Sequence, residues 1–435
     1  MVEWIRDTVW WHVYPLGFFG AEKLALPPDA MPNPRLRSFE AWFDYVCHLG
    51  CNGILLAPLF SSESHGYDTT DFYNLDSRLG TNADLIWFIE SCRERNIRVV
   101  FDGVFNHVGR SFGPFQDVRQ HRQQSRFASW FLIDWNNGAN EDGFSYVNFE
   151  GHHRLVKLNH NNPEVVEYVV NVINHWLGFG IDGWRLDAAY AVAPHFWQQV
   201  LDRVRQKFPD AWFLGEVIHG DYVNSVRQGH LESVTQYELW KAIWSALNDR
   251  NFFELSHALN RNNDFSKVFL PNTFVGNHDV TRIATELKDV RDVELALAVL
   301  CTVPGTPSIY YGDEQLWMAR KEKRAGGDDA IRPCFPSHPQ LLSGNSSAFD
   351  TYRDLIWLRR NNPWIASSQI KMITLTNQTS VYETKCGANR FFVALNVSDS
   401  EFKIHSSAEW NLVNGRAQAG AAGWLVPSHG WAIFN

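Results

Sequence analysis

Short apolar runs alternate with helical segments along most of the chain. Eight runs rich in β-branched and aromatic residues are predicted as buried strands, at 8–15, 52–58, 97–105, 182–187, 211–217, 232–237, 272–276 and 307–312. Apolar residues with a helical period are predicted as helices at 39–50, 83–96, 162–180, 194–208, 238–249, 291–301 and 348–361. This alternation predicts a parallel α/β sheet, and the number of strands favours a (β/α)8 barrel over an open sheet.

Two stretches interrupt the alternation and predict additional domains. Residues 108–160 are polar and too long for an ordinary βα loop, which indicates a small inserted domain. From residue 366, short alternating runs separated by turn residues indicate an antiparallel β domain. The predicted units are the first part of the barrel at 1–107, the inserted domain at 108–160, the second part of the barrel at 161–365 and a C-terminal β-sandwich domain at 366–435.

Composition narrows the possible partners. The chain has 435 residues, of which 45% are hydrophobic and 20% charged, as in ordinary globular proteins. Because the formal net charge is −9 and no run of lysine and arginine occurs, no nucleic-acid partner is expected. The first residues do not resemble a signal peptide, and the longest apolar run, 295–303, is too short to span a bilayer. We therefore expect no membrane partner, and six scattered cysteines fit reduced thiols in a cytoplasmic protein.

The segment "GIDGWRLDAAY" (180–190) places opposite charges inside an apolar run. Side chains alternate along a strand, so Arg185 and Asp187 share one face while Trp184 and Leu186 share the other. In a barrel the catalytic side chains come from the C-terminal ends of the strands. Arg185 and Asp187 are therefore predicted to face the mouth of the barrel.

Other predicted strands also end in chemically active side chains. These are Asp102, Asn106 and His107 after the third strand, Glu216 after the fifth, and Asn277, His278 and Asp279 after the seventh. A lone strand-end aspartate can simply cap the next helix, and a lone histidine is commonly a core residue. The same pattern at several strand ends instead predicts a catalytic centre containing three or more carboxylates.

The amino-acid sequences of these strand-end segments resemble those of the α-amylase family of retaining glycoside hydrolases. Its four sequence regions are matched in order by "DGVFNH" (102–107), "GWRLDAA" (183–189), "GEVI" (215–218) and "FVGNHD" (274–279). Two further segments, "HGYDTTDFYNLDSRLGT" (65–81) and "PGTPSIYYGDE" (304–314), look like the loop after the second strand and the eighth strand of that family. The resemblance covers residues 9–361 and implies that the insert and the tail correspond to the family's domains B and C.

Roles follow from the resemblance residue by residue. It implies that Asp187 is the nucleophile, Glu216 the general acid and base, and Asp279 the stabiliser of the oxocarbenium-like transition state. The residues that would bind the sugar are Tyr67, Asp102, His107, Arg185, His278, Asp328 and Arg332. Arg185 is expected to lower the pKa of Asp187, whereas the apolar sequence neighbours of Glu216 are expected to keep that residue protonated.

Some positions depart from the family pattern. Tyr190 and Ala191 stand where many α-amylases have a lysine and a histidine, so the leaving-group side is not expected to be that of a typical endo-acting starch amylase, while exo or endo action stays open. Lys157 stands where an acidic residue is common, which argues against the structural calcium near Asn106, and no cofactor is required. The segment "SRFASWFLIDW" (125–135) resembles the cyclomaltodextrinase and neopullulanase branch, whose N-terminal β domain this sequence is expected to lack.

The leading hypothesis is a hydrolase of α-1,4-glucosidic bonds in maltooligosaccharides or cyclodextrins that retains the α configuration. An alternative is a glucosyltransferase with the same three carboxylates, because a sugar hydroxyl can replace water as the acceptor. A remote alternative is a non-catalytic family member that acts as a binding module. Chain-length preference and oligomeric state are left open.

Overall fold

The apolar runs pair in parallel into one sheet that closes on itself. The computed structural model describes residues 2–138, 141–324, 326–344, 346–405, 410–420 and 423–435. The barrel strands are β1 (Trp10–Val13), β2 (Gly53–Leu56), β3 (Arg98–Gly103), β4 (Gly183–Leu186), β5 (Trp212–Gly215), β6 (Ser233–Val234), β7 (Asn272–Phe274) and β8 (Thr306–Tyr310). They neighbour each other in the order β6-β5-β4-β3-β2-β1-β8-β7, and a parallel bridge from Thr235 to Asn272 links the two ends. The predicted (β/α)8 barrel is confirmed.

Helices alternate with the strands on the outside of the barrel, except that Gly113–His121 lies in the inserted stretch. They span Pro15–Phe18, Phe43–Leu49, Asn82–Glu94, Gly113–His121, Pro163–Phe179, Pro194–Arg205, Tyr222–Gly229, Tyr237–Asn248, Phe252–Ser266, Ile283–Glu286, Val293–Thr302 and Ser346–Asn361. Across the described ranges, none of these helices combines the length and the apolar character needed to cross a membrane.

The helix Phe252–Ser266 was not predicted, because polar side chains interrupt its apolar period. Asn262 and Asn263 are nevertheless buried. The amide of Asn262 donates to the carbonyl of Pro304 at 3.0 Å, and the amide of Asn263 donates to the carbonyl of Ile370 at 2.7 Å. These tertiary hydrogen bonds offset the cost of burying the amides, and the local sequence does not reveal them.

The insert and the tail form small antiparallel sheets. In the insert, the strand His152–Lys157 pairs with His107–Gly109 on one side and Asn148–Phe149 on the other. The tail contains sheets of five and three strands among its described residues, and Val381, Ala394, Ile404, Val426 and Phe434 form one buried cluster between them. The predicted C-terminal antiparallel domain is confirmed, while the limits at 107, 160 and 365 stay predictions.

The side chains of β4 alternate as predicted. Trp184 and Leu186 are fully buried in the large cluster between the strands and the helices. Arg185 points to the inside of the barrel, where it contacts Asp102 of β3. Trp10 and Trp212 fill the interior nearer the N-terminal ends of the strands, with ring centroids 5.3 Å apart. Because this floor is packed, a ligand is expected at the C-terminal end of the barrel.

Gly183 is required by the close approach of β4 to β5. A Cβ atom at this position would lie 2.0 Å from the carbonyl oxygen of Trp212, which is backbone and cannot move aside. We expect Gly183→Ala to lower the free energy of unfolding by about 3 kcal/mol or more, as measured by urea denaturation. The control is Gly178→Ala in the helix Pro163–Phe179, where a Cβ meets nothing within 4 Å. That control is expected to be neutral or stabilising, and equal stability of the two variants would contradict the prediction.

Candidate active site

A cavity of about 810 Å³ opens at the C-terminal end of the barrel. Asp187, Glu216 and Asp279 line it, following β4, β5 and β7 respectively. The other predicted site residues that line it are Tyr67, His107, Asp328 and Arg332. Parallel strands bring their C-terminal ends to one rim, which is why residues far apart in the sequence meet here.

Arg185 lies beneath this cavity and joins three carboxylates. Its guanidinium lies 2.5 Å from an oxygen of Asp102, 2.7 Å from Oε1 of Glu216 and 3.4 Å from Oδ1 of Asp187. Arg185 and Asp102 are almost completely buried, so these charges attract one another with little screening by water. The guanidinium of Arg185 therefore fixes the positions of the Asp187 and Glu216 carboxylates above it.

The pKa of Asp187 differs from the sequence-based expectation. Burial and the neighbouring charge of Glu216 raise the pKa of Asp187 well above its ordinary value, and the attraction of Arg185 does not outweigh them. The expected lowering of this pKa by Arg185 is present, but burial and the charge of Glu216 have the larger effect. Arg185 also lies closer to Asp102 and Glu216 than to Asp187.

The surroundings of Glu216 are also more polar than its sequence neighbours suggested. Besides Arg185, its carboxylate accepts a hydrogen bond from the backbone N–H of Ala188 at 3.0 Å and one from the hydroxyl of Tyr237 at 3.5 Å. Ala188 adopts a left-handed conformation, with φ 45° and ψ 38°, which is uncommon for a residue with a side chain. This turn, directly after Asp187, aims a donor at Glu216. The expectation of an apolar environment is wrong because through-space neighbours, not Val217 and Ile218, set it.

Asp279 is held by two cationic or polar partners. His278 Nε2 lies 2.9 Å from one oxygen of Asp279, and Arg332 Nη2 donates to the other at 2.8 Å. Burial raises the pKa of Asp279, but His278, Arg332 and Arg185 outweigh it and hold this pKa well below its ordinary value. Arg332 also lies 3.3 Å from Asp328, so the two predicted sugar-binding residues form an ion pair at the cavity wall.

Aromatic rings surround the carboxylates. The rings of Tyr67 and His278 are nearly parallel, with centroids 5.7 Å apart, and the hydroxyl of Tyr67 contacts both His278 Nε2 and Asp102. His107 stacks on Phe149 with centroids 4.7 Å apart, and burial lowers the pKa of His107 to about 3, so this ring is neutral. Flat rings of this kind suit the apolar faces of a sugar.

Three of the predicted sugar-binding residues are not among the residues that line the cavity. Asp102, Arg185 and His278 lie behind the residues that form its wall, and all three are buried. Their hydrogen bonds orient Tyr67, Glu216 and Asp279. A direct contact of these three residues with the sugar stays a prediction.

Sequence reasoning missed several residues of the cavity wall. Phe149 and Glu150 come from the inserted domain, and Trp240 comes from the helix Tyr237–Asn248 after β6. Glu150 accepts a hydrogen bond from the hydroxyl of Tyr190 at 2.9 Å, which links the insert to the loop that carries Asp187. The position of Trp240 shortly after a barrel strand could have indicated that it lines the cavity. No feature of the local sequence indicates this for Phe149 or Glu150.

The residues near Asn106 do not fit a calcium site. Calcium prefers oxygen ligands with negative charge, whereas Lys157, which pairs with His107 next to Asn106 in the sheet, carries a positive charge. Its ammonium group donates to the carbonyl of Ala191 at 3.1 Å, so a positive charge already satisfies that oxygen. Within the described residues, no group of three or more histidine, cysteine, aspartate or glutamate side chains could hold a metal ion.

Comparison with known proteins identifies the family. The family profile described as "Alpha amylase, catalytic domain" matches residues 39–332. The chain belongs to the alpha-amylase family. A relative in this family, the cyclomaltodextrinase of Geobacillus thermopakistaniensis, is 31% identical over 466 residues, which cover 99% of this chain and 77% of the relative. The predicted family and the predicted enzyme class, a glycoside hydrolase, are confirmed.

Solved structures share this fold over 99% to 100% of the chain. The native debranching enzyme of Nostoc punctiforme has a TM-score of 0.83 and 26% identity, covering 100% of this chain and 99% of that chain. The ligand-free cyclic alpha-maltosyl-(1→6)-maltose hydrolase from Arthrobacter globiformis has a TM-score of 0.85 and 24% identity, covering 99% of each chain. The second likeness, at this identity, concerns the fold alone.

Proposed function

We propose that this protein hydrolyses α-1,4-glucosidic bonds of maltooligosaccharides or cyclodextrins and retains the α configuration. The observation that carries the proposal is the convergence of Asp187, Glu216 and Asp279 on one cavity, with Arg185 joining the first two from below. A retaining glycosidase needs two carboxyl groups about 5–5.5 Å apart, one as nucleophile and one as acid and base. Asp187 and Glu216 both contact the guanidinium of Arg185, so their carboxyl groups are close enough together for this chemistry.

In the first step, Glu216 gives its proton to the glycosidic oxygen while Asp187 attacks the anomeric carbon. The carbon–oxygen bond breaks, the leaving sugar departs with the proton, and a covalent bond to Asp187 forms. In the transition state of this step, positive charge develops on the sugar ring. Asp279 is placed to stabilise it, since its low pKa keeps that carboxylate ionised.

In the second step, Glu216 acts as a base and removes a proton from water, which attacks the anomeric carbon and releases Asp187. Burial and the charge of Glu216 raise the pKa of Asp187, so a proton bound to Glu216 removes that charge and favours the ionised form of Asp187. The reaction requires that this proton be on Glu216 when the substrate binds. Approach of the glycosidic oxygen favours that arrangement because it offers Glu216 a hydrogen-bond acceptor.

The proposed substrates rest on the named relative and on the cavity. The Geobacillus relative is a cyclomaltodextrinase. The wall near Glu216 carries Ile218 and Trp240, an apolar and aromatic surface of the kind that packs against sugar rings.

We also propose a cytoplasmic location, because the six cysteines are all unpaired, as in proteins of reducing compartments.

Product analysis tests the proposed function. The enzyme is incubated separately with maltoheptaose, β-cyclodextrin, pullulan and sucrose, and the products are separated by chromatography, with Asp187→Asn as the control. We expect short maltooligosaccharides of α configuration from maltoheptaose or β-cyclodextrin and no reaction in the control. Products longer than the substrate would favour the glucosyltransferase alternative, and inertness towards every glucan would favour the binding module.

A further inference from the structure

The two ends of the active-site cavity are formed by opposite sides of the barrel. Glu216 follows β5, and in a closed sheet of eight strands β5 lies four strands from β1, directly opposite it, and three strands from both β2 and β8. Since Glu216 protonates the leaving oxygen, the leaving sugars extend over the side of Glu216, Ile218 and Trp240. The sugars that become attached to Asp187 must then extend towards β1, β2 and β8. We call this side of the cavity the donor end.

An ion pair crosses the cavity wall at the donor end. Lys23, in the loop region after β1, places its ammonium group 2.6 Å from Oδ1 of Asp329, which follows β8. Both residues line the active-site cavity, and both also line a second cavity of about 300 Å³ beyond it. Ser64, His65 and Arg332 complete the shared wall. The pair therefore stands, together with these three residues, between the two cavities.

We propose that the Lys23–Asp329 ion pair closes the donor end of the active site and sets how many glucosyl units bind on the non-reducing side of the cleaved bond. This inference rests on the proposed function, because it concerns the same substrate and the same cavity. It makes Lys23 and Asp329 specificity residues, which act by limiting the length of the donor site rather than by taking part in bond cleavage.

The exposure of the pair determines how firmly it closes the site. The side chain of Lys23 is 73% exposed and that of Asp329 is 57% exposed, so water and salt screen their attraction. Exposed ion pairs of this kind change an equilibrium by a factor of about two to five. The closure is therefore partial, and a longer donor chain can enter the second cavity by displacing the pair at a modest cost.

Bond-cleavage patterns test this inference. Maltoheptaose labelled at its reducing end is digested, and the lengths of the labelled products show which bond lay between Asp187 and Glu216. In Lys23→Met and Asp329→Asn we expect the ratio of long to short donor fragments to rise about two- to fivefold. The exchanged pair, Lys23→Asp with Asp329→Lys, restores opposite charges at the same sites and is expected to return the ratio towards the wild-type value.

Salt gives an independent measurement on the unmodified protein. At about 1 M NaCl the Debye length falls to about 3 Å, so the wild-type pattern should shift towards that of the single variants, while the single variants should not change. If the wild type is active and both single variants give the same cleavage pattern as the wild type, the inference is overturned. Single variants that differ but are not restored by the exchanged pair would also overturn it, because side-chain size and not pairing would then set the donor end.

The inference can be separated from the proposed function by measuring binding. Titration of Glu216→Gln with maltose, maltotriose and maltotetraose, with and without Lys23→Met, reports the donor end without hydrolysis. Stronger binding of the longer sugars in the Lys23→Met background supports the inference even if hydrolysis fails. Hydrolysis without any effect of Lys23 or Asp329 on binding or cleavage would instead retain the proposed function and reject the inference.

Discussion

Replacement of Asp187 by asparagine is expected to lower kcat on maltoheptaose by about 10⁴-fold or more, as removal of a catalytic nucleophile does in other enzymes. The amide cannot form the covalent bond to the anomeric carbon, so neither step of the proposed reaction can proceed. The measurement is steady-state hydrolysis, followed by the release of reducing ends. Substrate affinity should change much less than kcat, because the shape of the side chain is preserved.

The fold should tolerate this substitution. Arg185 keeps its closer partners, Asp102 at 2.5 Å and Glu216 at 2.7 Å, so no buried cation is left unpaired. Asp182→Asn is a matched control, since Asp182 lies in the same segment but pairs with Arg98 outside the cavity. We expect that control to remain active. Normal turnover in purified Asp187→Asn would refute the assignment of the nucleophile.

Replacement of Glu216 by glutamine is expected to lower kcat on maltooligosaccharides by about 10²- to 10⁴-fold, the usual contribution of general acid–base catalysis. The loss should be much smaller in the first step with a nitrophenyl α-glucoside, because nitrophenolate leaves without being protonated. The covalent intermediate should then accumulate and appear as a burst of nitrophenolate. Equal losses on natural and nitrophenyl substrates would contradict the role of Glu216 as the acid.

The same substitution should change the pH profile. Asp187 acts in its ionised form, so activity rises as the pH passes upward through its pKa. The charge of Glu216 is, after burial, the largest cause that raises the pKa of Asp187. Removing that charge must lower this pKa, and the acidic limb of kcat/KM for the nitrophenyl substrate should move to lower pH than in the wild type. An unchanged or upward shift would show that the two carboxyl groups are not coupled.

The strands and the identity of the three carboxylates could be predicted from the sequence. Each barrel strand is a short apolar run, and a strand buried on both sides is recognisable without knowledge of its neighbours. Carboxylates at strand ends could be found because a barrel places every strand end at one rim, and the family resemblance implied which three of them are catalytic. By contrast, the helix Phe252–Ser266 escaped prediction, because its buried asparagines are stabilised by distant carbonyl groups.

The electrostatics of the site could not be predicted from neighbouring residues in the sequence. Arg185 stands two residues from Asp187, yet it is nearer to Asp102 of β3 and to Glu216 after β5. The distance between side chains on adjacent strands depends on the register of the sheet, which pairs Arg185 with Asp102 and with Leu214. The sequence therefore indicated the lowering effect of Arg185 on the pKa of Asp187, but not the burial and the charge of Glu216 that outweigh it.

The sequence by itself determined the alternation of strands and helices, the family, and which carboxylates stand at strand ends, since these depend on residue type and local period. Only the tertiary structure decided which charges meet, because barrel closure brings together residues from separate loops. It placed Phe149 and Glu150 of the insert on the cavity wall. It also brought Lys23 within 2.6 Å of Asp329, some three hundred positions away in the chain, and thereby gave the donor end its wall.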